Sequence, residues 1–348
     1  MTIAITGEKG FLGYHLTQYY KWIKKYQVIS LGKNYLDNIN LLSGCDLLIH
    51  CAGVNRGDLV YEGNIKLASD LVEALKNNNI KINIKFTSST QVNKNNEYGN
   101  SKLEAEKILF DYCTKSNTQL NTFYIPNLFG PFGKPNYNSF ISTFCYNLNN
   151  NIECKHNTNL VELCYVYDAI KAIDLNIPFI TNGITVEDVY LKLQSFQEDY
   201  SQGVIPNLTS KFDLDLFNTF RSYSNNLFKF KRHSDSRGHL VELVKGKGSQ
   251  TQVFFSTTKP NITRGDHFHF GKVERFCVLY GKALIKTRKI DSEEINEYII
   301  SGEDNKVIDM PVLFTHNITN IGNEDLICVF WVNEVFNVDN PDTYYIKV

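Results

Sequence analysis

Along residues 1 to about 175, short apolar runs alternate with helix-like patterns. Thr2–Thr6, Val28–Leu31, Asp46–Ala52, Lys85–Ser89 and Thr122–Ile125 read as strands with helices between them, an alternation that calls for a parallel sheet with crossover helices. Residues 176–228 read as short helical pieces, Val186–Gln197 and Asp213–Asn225, between polar turns. Such pieces suit a lobe that completes a substrate pocket. After Phe230 the period changes to two, in Leu240–Val244, Gln252–Ser256, Phe276–Leu279, Ala283–Lys289, Tyr298–Ile300 and Leu326–Val332, spaced by Gly, Asn and Asp. This is the pattern of an all-β sandwich or barrel. The predicted organisation is a Rossmann-type α/β domain over 1–228 followed by an all-β barrel over 229–348.

Length agrees, because 348 residues exceed what one hydrophobic core usually organises. A net charge of −1 offers no basic field for nucleic acid or an anionic membrane. No apolar run approaches the eighteen or so residues of a membrane span. Met1 leads at once into Ile3-Ala4-Ile5 without a basic leader, so a cytoplasmic location is expected. The eight cysteines form no CxxC pair and sit mostly in apolar runs, as buried free thiols do.

Candidate chemistry begins directly after the first strand. Gly7-Glu8-Lys9-Gly10-Phe11-Leu12-Gly13 stands between a strand and a helix, where amides at a helix N-terminus can cradle a pyrophosphate. Its GxxGxxG spacing resembles that of short-chain dehydrogenases/reductases. The second strand ends Leu31-Gly32-Lys33-Asn34. It lacks the acid that would bind a ribose 2′-hydroxyl and has Lys33 nearby, which favours NADP(H), although Asp37 follows closely. Tyr98-Gly99-Asn100-Ser101-Lys102 puts an ammonium one helical turn from a phenol, where it is expected to lower the phenol's pKa for proton exchange near neutral pH. Phe86-Thr87-Ser88-Ser89 adds hydroxyls at a strand end, with Ser89 taken for the catalytic serine and Ser88 as the alternative. His50-Cys51-Ala52-Gly53 resembles the family's cofactor-lining segment at its fourth strand, with Asn64 in support. Pro126-Asn127-Leu128-Phe129-Gly130-Pro131 resembles the segment of extended members that approaches a sugar nucleotide. Asn127, Lys134 and Asn136 are its candidate substrate contacts, a solvated loop being the alternative for Lys134.

The barrel carries a second constellation. His267-Phe268-His269, Glu274 and Gly281 resemble the first cupin motif, and Pro311-Val312-Leu313-Phe314-Thr315-His316 resembles the second, with Leu313 where glycine is usual. Strand alternation is expected to put both histidines on one face, and the following turn to return Glu274 to it. Three imidazoles and a carboxylate leave open positions on a divalent ion, the condition for Lewis-acid chemistry. Ligand type does not choose among Zn, Fe, Mn and Ni. Asp235-Ser236-Arg237-Gly238 resembles a segment of cupin-class deoxysugar epimerases in which the arginine faces nucleotide phosphates; a charged barrel edge is the alternative for Arg237. Some of those epimerases are metal-free and use the histidine matching His267 as the base, so that mechanism also stands.

The two motif sets in this order, over essentially the whole chain, resemble the CapF/FnlB family of bifunctional capsular polysaccharide enzymes. The resemblance implies a UDP-N-acetyl-aminosugar substrate, NADPH, a divalent ion such as zinc, and a homodimer through the cupin domain. It implies C3 epimerisation of a 4-keto-6-deoxy sugar followed by C4 reduction, with an L-talo or L-rhamno product. His233, Asp235, Lys286 and Tyr280 are the candidate C3 bases, and release of the intermediate between the sites is expected. A 4-reductase with the barrel as dimerisation unit, and a non-catalytic binding protein, are the alternatives.

Overall fold

The structure is a computed structural model; it describes residues 1–225, 227–229, 232–235, 238–241, 245–246, 251–334 and 337–348, the short segments from 232 to 246 by backbone alone. By Cα proximity the chain groups into two units. One holds Met1–Phe129, Asn136–Ser139 and Leu160–Ile184, the other Gly130–Pro135, Phe140–Asn159 and Thr185–Val348. Among the described residues no helix is long and apolar enough to cross a membrane.

The first unit is built on five parallel strands: β1 (Thr2–Thr6), β2 (Gln27–Leu31), β3 (Leu47–His50), β4 (Asn83–Ser89) and β5 (Leu120–Ile125). Their order is β2-β1-β3-β4-β5, with Thr6 level with Leu31 on one side and His50 on the other. The His50-Cys51-Ala52-Gly53 segment thus follows the third strand in chain order, not a fourth. Helices α1 (Phe11–Gln18), α2 (Val60–Asn77) and α3 (Glu97–Ser116) follow β1, β3 and β4. Ala4, Leu48, Ile84 and Phe86 from the strands pack with Leu71, Leu75 and Leu109 from α2 and α3 in one buried cluster. Chain direction reverses across the sheet between β2 and β3 on either side of β1, and such a switch point opens a crevice at the carboxyl ends of the strands.

In the second unit two five-stranded antiparallel sheets face each other. One runs Leu227–Lys229, Lys306–Met310, Glu274–Tyr280, Leu326–Val332, Gln252–Thr258; the other runs Ile295–Ser301, Lys282–Lys289, Phe314–Asn320, Thr263–Phe268, Tyr344–Tyr345. Phe276, Ile308, Cys328 and Phe330 of the first meet Ala283, Ile285 and Ile318 of the second in the core. Five of these strands, Leu227–Lys229, Thr263–Phe268, Lys306–Met310, Phe314–Asn320 and Tyr344–Tyr345, lie outside the predicted runs. All eight cysteines are free, with Cys45, Cys51 and Cys154 half-buried rather than buried.

The helices Val186–Tyr200 and Lys211–Arg221 belong to this second unit. One lock within it is a buried ion pair: Arg275 Nε and Nη2 donate to Asp309 at 2.6 and 3.0 Å, and Nη1 donates to the Gly203 carbonyl at 2.6 Å. The Tyr200 hydroxyl, from the end of its helix, also donates to Asp309. Removing one partner of such a pair leaves a buried charge unpaired, which costs about 3–5 kcal/mol. Asp309→Ala is therefore expected to lower the unfolding free energy by roughly that amount, and chemical denaturation followed by circular dichroism checks it.

Candidate active sites

The first site forms where β1, β3 and β4 end. Gly7 has φ +70°, and a Cβ on it would come within 2.8 Å of Ala52 N. A Cβ on Gly13 would overlap the Gly7 carbonyl, which itself accepts from Gly10 N at 2.8 Å. The glycines therefore keep the entry to α1 compact and its amides uncovered, and Gly10 serves as the helix cap without a side-chain bond. That is a cradle suited to a pyrophosphate. Phe11 and Leu12 are half-buried in its first turn, and Lys33 is exposed beyond β2. A Cβ at Gly32 would stand 3.5 Å from Glu8 Oε1, so the glycine loop itself brings a carboxylate toward the end of β2.

Thr6 joins the two strand ends across the crevice. Its hydroxyl bonds His50 Nδ1 at 2.8 Å and accepts from Cys51 N and Ala52 N at 3.2 Å each. Burial holds the His50 ring neutral, pushed down to about 3. Asn64 ties the next turn: its amide accepts from Val54 N at 2.9 Å and donates to the Val54 carbonyl at 2.8 Å and to Ser101 Oγ at 3.0 Å. These bonds hold the segment Cys51, Ala52, Gly53 along the crevice.

Ser89 ends β4 and accepts from Gln91 N at 3.2 Å. Tyr98 lies in the first turn of α3, whose N-cap Asn96 accepts from Gly99 N at 2.7 Å. Burial pushes the Tyr98 phenol up, and a hydrogen bond with Ser89 works against that rise. The expected lowering by Lys102 is not what the structure shows: Lys102 Nζ donates to the Thr87 carbonyl at 2.9 Å and lies 3.2 Å from where a Cβ on Gly53 would be. Burial pushes Lys102 itself down to about 8. Ser88 Oγ is buried without a hydrogen-bond partner. Among the expected substrate contacts, Asn127, Lys134 and Asn136 are exposed, and Asn127 Nδ2 donates to the Glu162 carbonyl at 3.3 Å. Arg237 lies outside the described residues, as do the side chains of His233 and Asp235.

In the second unit, His267, His269, Glu274 and His316 converge, with one ligand atom from each within 4.8 Å of the others. His267 stands opposite His316 across the strand pair. Strand alternation does not carry both histidines, since His269 lies one residue past Thr263–Phe268, and Glu274 opens a strand of the facing sheet. A bulge between Gly265 and His267 aims the imidazole. Glycine is needed there: φ is +107°, and a Cβ would meet the His316 carbonyl at 2.7 Å. At the expected glycine position, Leu313 adopts φ +61° and donates its N–H to the His269 carbonyl at 2.9 Å. The left-handed turn survives the substitution, at a backbone cost of order 1–2 kcal/mol set against burial of the whole leucine side chain.

The residues fit a cation. His269 Nδ1 faces the Asp342 carbonyl at 2.5 Å and His316 Nδ1 faces the Phe314 carbonyl at 3.2 Å. These acceptor-only partners keep hydrogens on Nδ1 and turn the Nε2 lone pairs inward. Both Nε2 atoms approach Glu274 Oε2, at 3.1 and 3.3 Å, and His316 Nε2 is buried without a hydrogen-bond partner. Lone pairs and a carboxylate so placed repel until positive charge stands among them. Burial would push the Glu274 carboxyl up; when the imidazoles of His269 and His316 are protonated, their hydrogen bonds and charge outweigh it and hold the group well below the usual carboxylate range, and with neutral imidazoles an ion would have to supply that charge. Burial, then the neighbouring His316 and His269, pushes His267 down to about 4. Of the candidate bases, Tyr280 ends the strand that Glu274 begins and donates to Glu324 at the surface. Lys286 pairs with Glu297 at 2.6 Å on the strand face opposite Thr287, the residue that stands against His316.

Fold and sites define a dinucleotide-binding α/β protein with a cupin-type barrel appended. Residues 3–189 match the NAD dependent epimerase/dehydratase family, and residues 233–344 match the polysaccharide biosynthesis C-terminal domain. The chain is 32% identical over 370 residues to UDP-2-acetamido-2,6-beta-L-arabino-hexul-4-ose reductase of Pseudomonas aeruginosa, covering 100% of this chain and 99% of that protein. It also resembles the crystal structure of the capsular polysaccharide assembling protein CapF from Staphylococcus aureus, at 33% identity and TM-score 0.61, with both chains covered completely. The chain therefore belongs to the NAD dependent epimerase/dehydratase family and, within it, to the CapF type that carries the polysaccharide biosynthesis domain.

A pH prediction follows from the barrel cluster. In chelator-treated protein the unfolded chain protonates His267 near 6.5, while the folded chain resists to about 4. The unfolded state then binds more protons, so stability falls as pH drops from about 6.5 toward 4. The depressed Glu274 acts in the same direction at lower pH: its contribution is present above its unfolded value and is lost as acid protonates the folded carboxylate. Urea midpoints measured across this range should decline with acid, and less steeply in His267→Gln.

Proposed function

We propose that this chain is a bifunctional UDP-sugar enzyme, with a reductase domain over 1–228 and an epimerase domain over 229–348. The substrate is a UDP-2-acetamido-2,6-dideoxy-4-keto-hexose, the barrel inverts C3, and the N-terminal half then reduces C4. The product is a UDP-N-acetyl-6-deoxy-L-hexosamine of L-talo or L-rhamno configuration for surface glycan synthesis. The observation that carries this reading is the presence, on one chain, of the Ser89, Tyr98, Lys102 set and the His267, His269, Glu274, His316 cluster. A full-length relative named as a hexul-4-ose reductase supports the substrate class.

The chemistry dictates an order. A C3 proton is acidic only while C4 is a ketone, because only then is the carbanion an enolate, so epimerisation precedes reduction. A divalent ion held by the four cluster residues, zinc in this proposal, supplies positive charge for that enolate. NADPH, bound over Gly7, Gly10 and Gly13 and along Cys51, Ala52 and Gly53, supplies the hydride for C4. Lys33 beyond an acid-free β2 supports the 2′-phosphate form, and Glu8 is the group against which that preference is to be measured. Ser89 orients the C4 oxygen, and Tyr98 gives it the proton. Burial keeps the phenol protonated, and bound cofactor and substrate would have to bring its pKa back toward neutral for efficient donation to the ketone. Lys102, facing Gly53, holds the cofactor side. Asn127, Lys134, Asn136 and Arg237 are the proposed substrate contacts.

The reading includes a homodimer through the barrel. Its support is the edge strand Gln252–Thr258, which has one partner among the described strands and exposes Phe255 to 70%. Phe255→Lys is expected to shift sedimentation toward the monomer. Supplied with the 4-keto sugar in deuterated water, Tyr98→Phe should cease to consume NADPH while still placing deuterium at C3. A His267→Ala/His269→Ala double variant should lose the C3 label, as read by NMR of the recovered sugar; retention of the label would remove the barrel from the reaction.

A further inference from the structure

We infer that Asp342, Asn218 and Arg221 form a two-sided clamp that positions the ion-binding loop 269–274. The inference rests on the proposal that the cluster of three histidines and Glu274 holds a divalent ion. Two of the four ligands, His269 and Glu274, bracket this loop, which crosses from one sheet of the barrel to the other. Its backbone groups have left the ladders and are satisfied by side chains from distant segments.

From one side comes the segment near residue 342. The Asp342 carboxylate accepts three successive amides: Phe270 N at 3.0 Å on Oδ1, then Gly271 N and Lys272 N at 2.9 and 3.0 Å on Oδ2. Consecutive N–H groups pointing at one anion form a nest, and here the anion is built into the chain. The same residue's backbone carbonyl receives His269 Nδ1. Asp342 thus sets both the path of the loop and the orientation of a ligand ring. Lys272 Nζ strengthens the attachment by donating to the Pro341 carbonyl at 2.8 Å.

From the other side comes the helix Lys211–Arg221. Asn218 Nδ2 donates to the Gly271 carbonyl at 2.9 Å, and Arg221 Nη2 donates to the Lys272 carbonyl at 2.8 Å. Arg221 Nε also donates to Asn218 Oδ1 at 3.1 Å, which fixes the amide's orientation. Both side chains are buried. The peptide units of Gly271 and Lys272 are therefore gripped at N–H by one segment and at C=O by another. A loop held so can present His269 and Glu274 at a fixed separation before any ion arrives, which is the role outer partners play for metal ligands.

A structural role alone would lower folding stability and leave the ion's surroundings unchanged. Positioning predicts more. Full-length protein stripped of metal is titrated with Co²⁺ against a competing chelator while the visible spectrum is recorded, and the metal-free melting temperature is measured in parallel. Asp342→Asn, which keeps the side-chain shape, is expected to weaken Co²⁺ binding about 10–100-fold and to shift the ligand-field bands. Asn218→Ala, acting from the opposite side, should change both in the same direction, and it carries the test should Asp342→Asn fail to fold. Asp339→Asn, exposed in the same segment, should match wild type. Wild-type affinity and spectrum in the folded clamp variants would overturn the clamp while leaving the ion site standing. Failure of the wild type to bind Co²⁺ would overturn the ion site and the clamp together.

Discussion

Where a strand ends inside a protein, the N–H and C=O groups leaving the ladder are still shielded from water and still need partners. Both candidate sites of this chain lie at such ends, and this one requirement explains which residues surround them. At the carboxyl edge of the parallel sheet, the Thr6 hydroxyl takes the amides of Cys51 and Ala52, and Asn64 takes both backbone groups of Val54. In the barrel, Asp342, Asn218, Arg221 and Asn333 do the same for residues 270–273. A side chain that satisfies backbone also fixes its course, so the accounting that keeps the fold stable is what places the reactive groups.

Much of the fold was legible because burial imposes a period. Thr2–Thr6 and Leu326–Val332 occur with the predicted bounds, since parallel central strands and sandwich strands carry apolar side chains in runs or alternation. Phe314–Asn320 was missed, and Thr263–Phe268 was foreseen only as an alternation at His267 and His269 without bounds, for the opposite reason. They spend their inward positions on histidine, asparagine and threonine, which blurs the alternation in the strands that carry the ligands. The predicted boundary at 228 followed a change of period, whereas Cα proximity groups the helices Val186–Tyr200 and Lys211–Arg221 with the barrel, a grouping supported by buried polar locks that no periodicity signals.

The candidate sites were legible as spacing and illegible as support. HxH, Glu274 and His316 stand out because metal ligands are drawn from few residue types. Asp342 carries no such mark, being an acidic residue in a polar stretch about seventy positions from its loop. Leu313 shows the reverse case. Its identity breaks the glycine pattern, yet its left-handed backbone keeps the turn that the pattern encodes. Tyr98 was recognised by its spacing from Lys102, whereas its burial, which pushes the phenol up, is a property of the folded surroundings that spacing does not carry.

The position of Asp342 also has a consequence in time. Synthesis runs from the amino end, so His267, His269, Glu274 and His316 leave the ribosome before the carboxylate that grips their loop. Until Asp342 is in place, the amides of Phe270, Gly271 and Lys272 lack the acceptor that sets the course of the loop between His269 and Glu274. An ion bound at the proposed site would therefore meet its final surroundings only after the last residues of the chain have folded onto the loop.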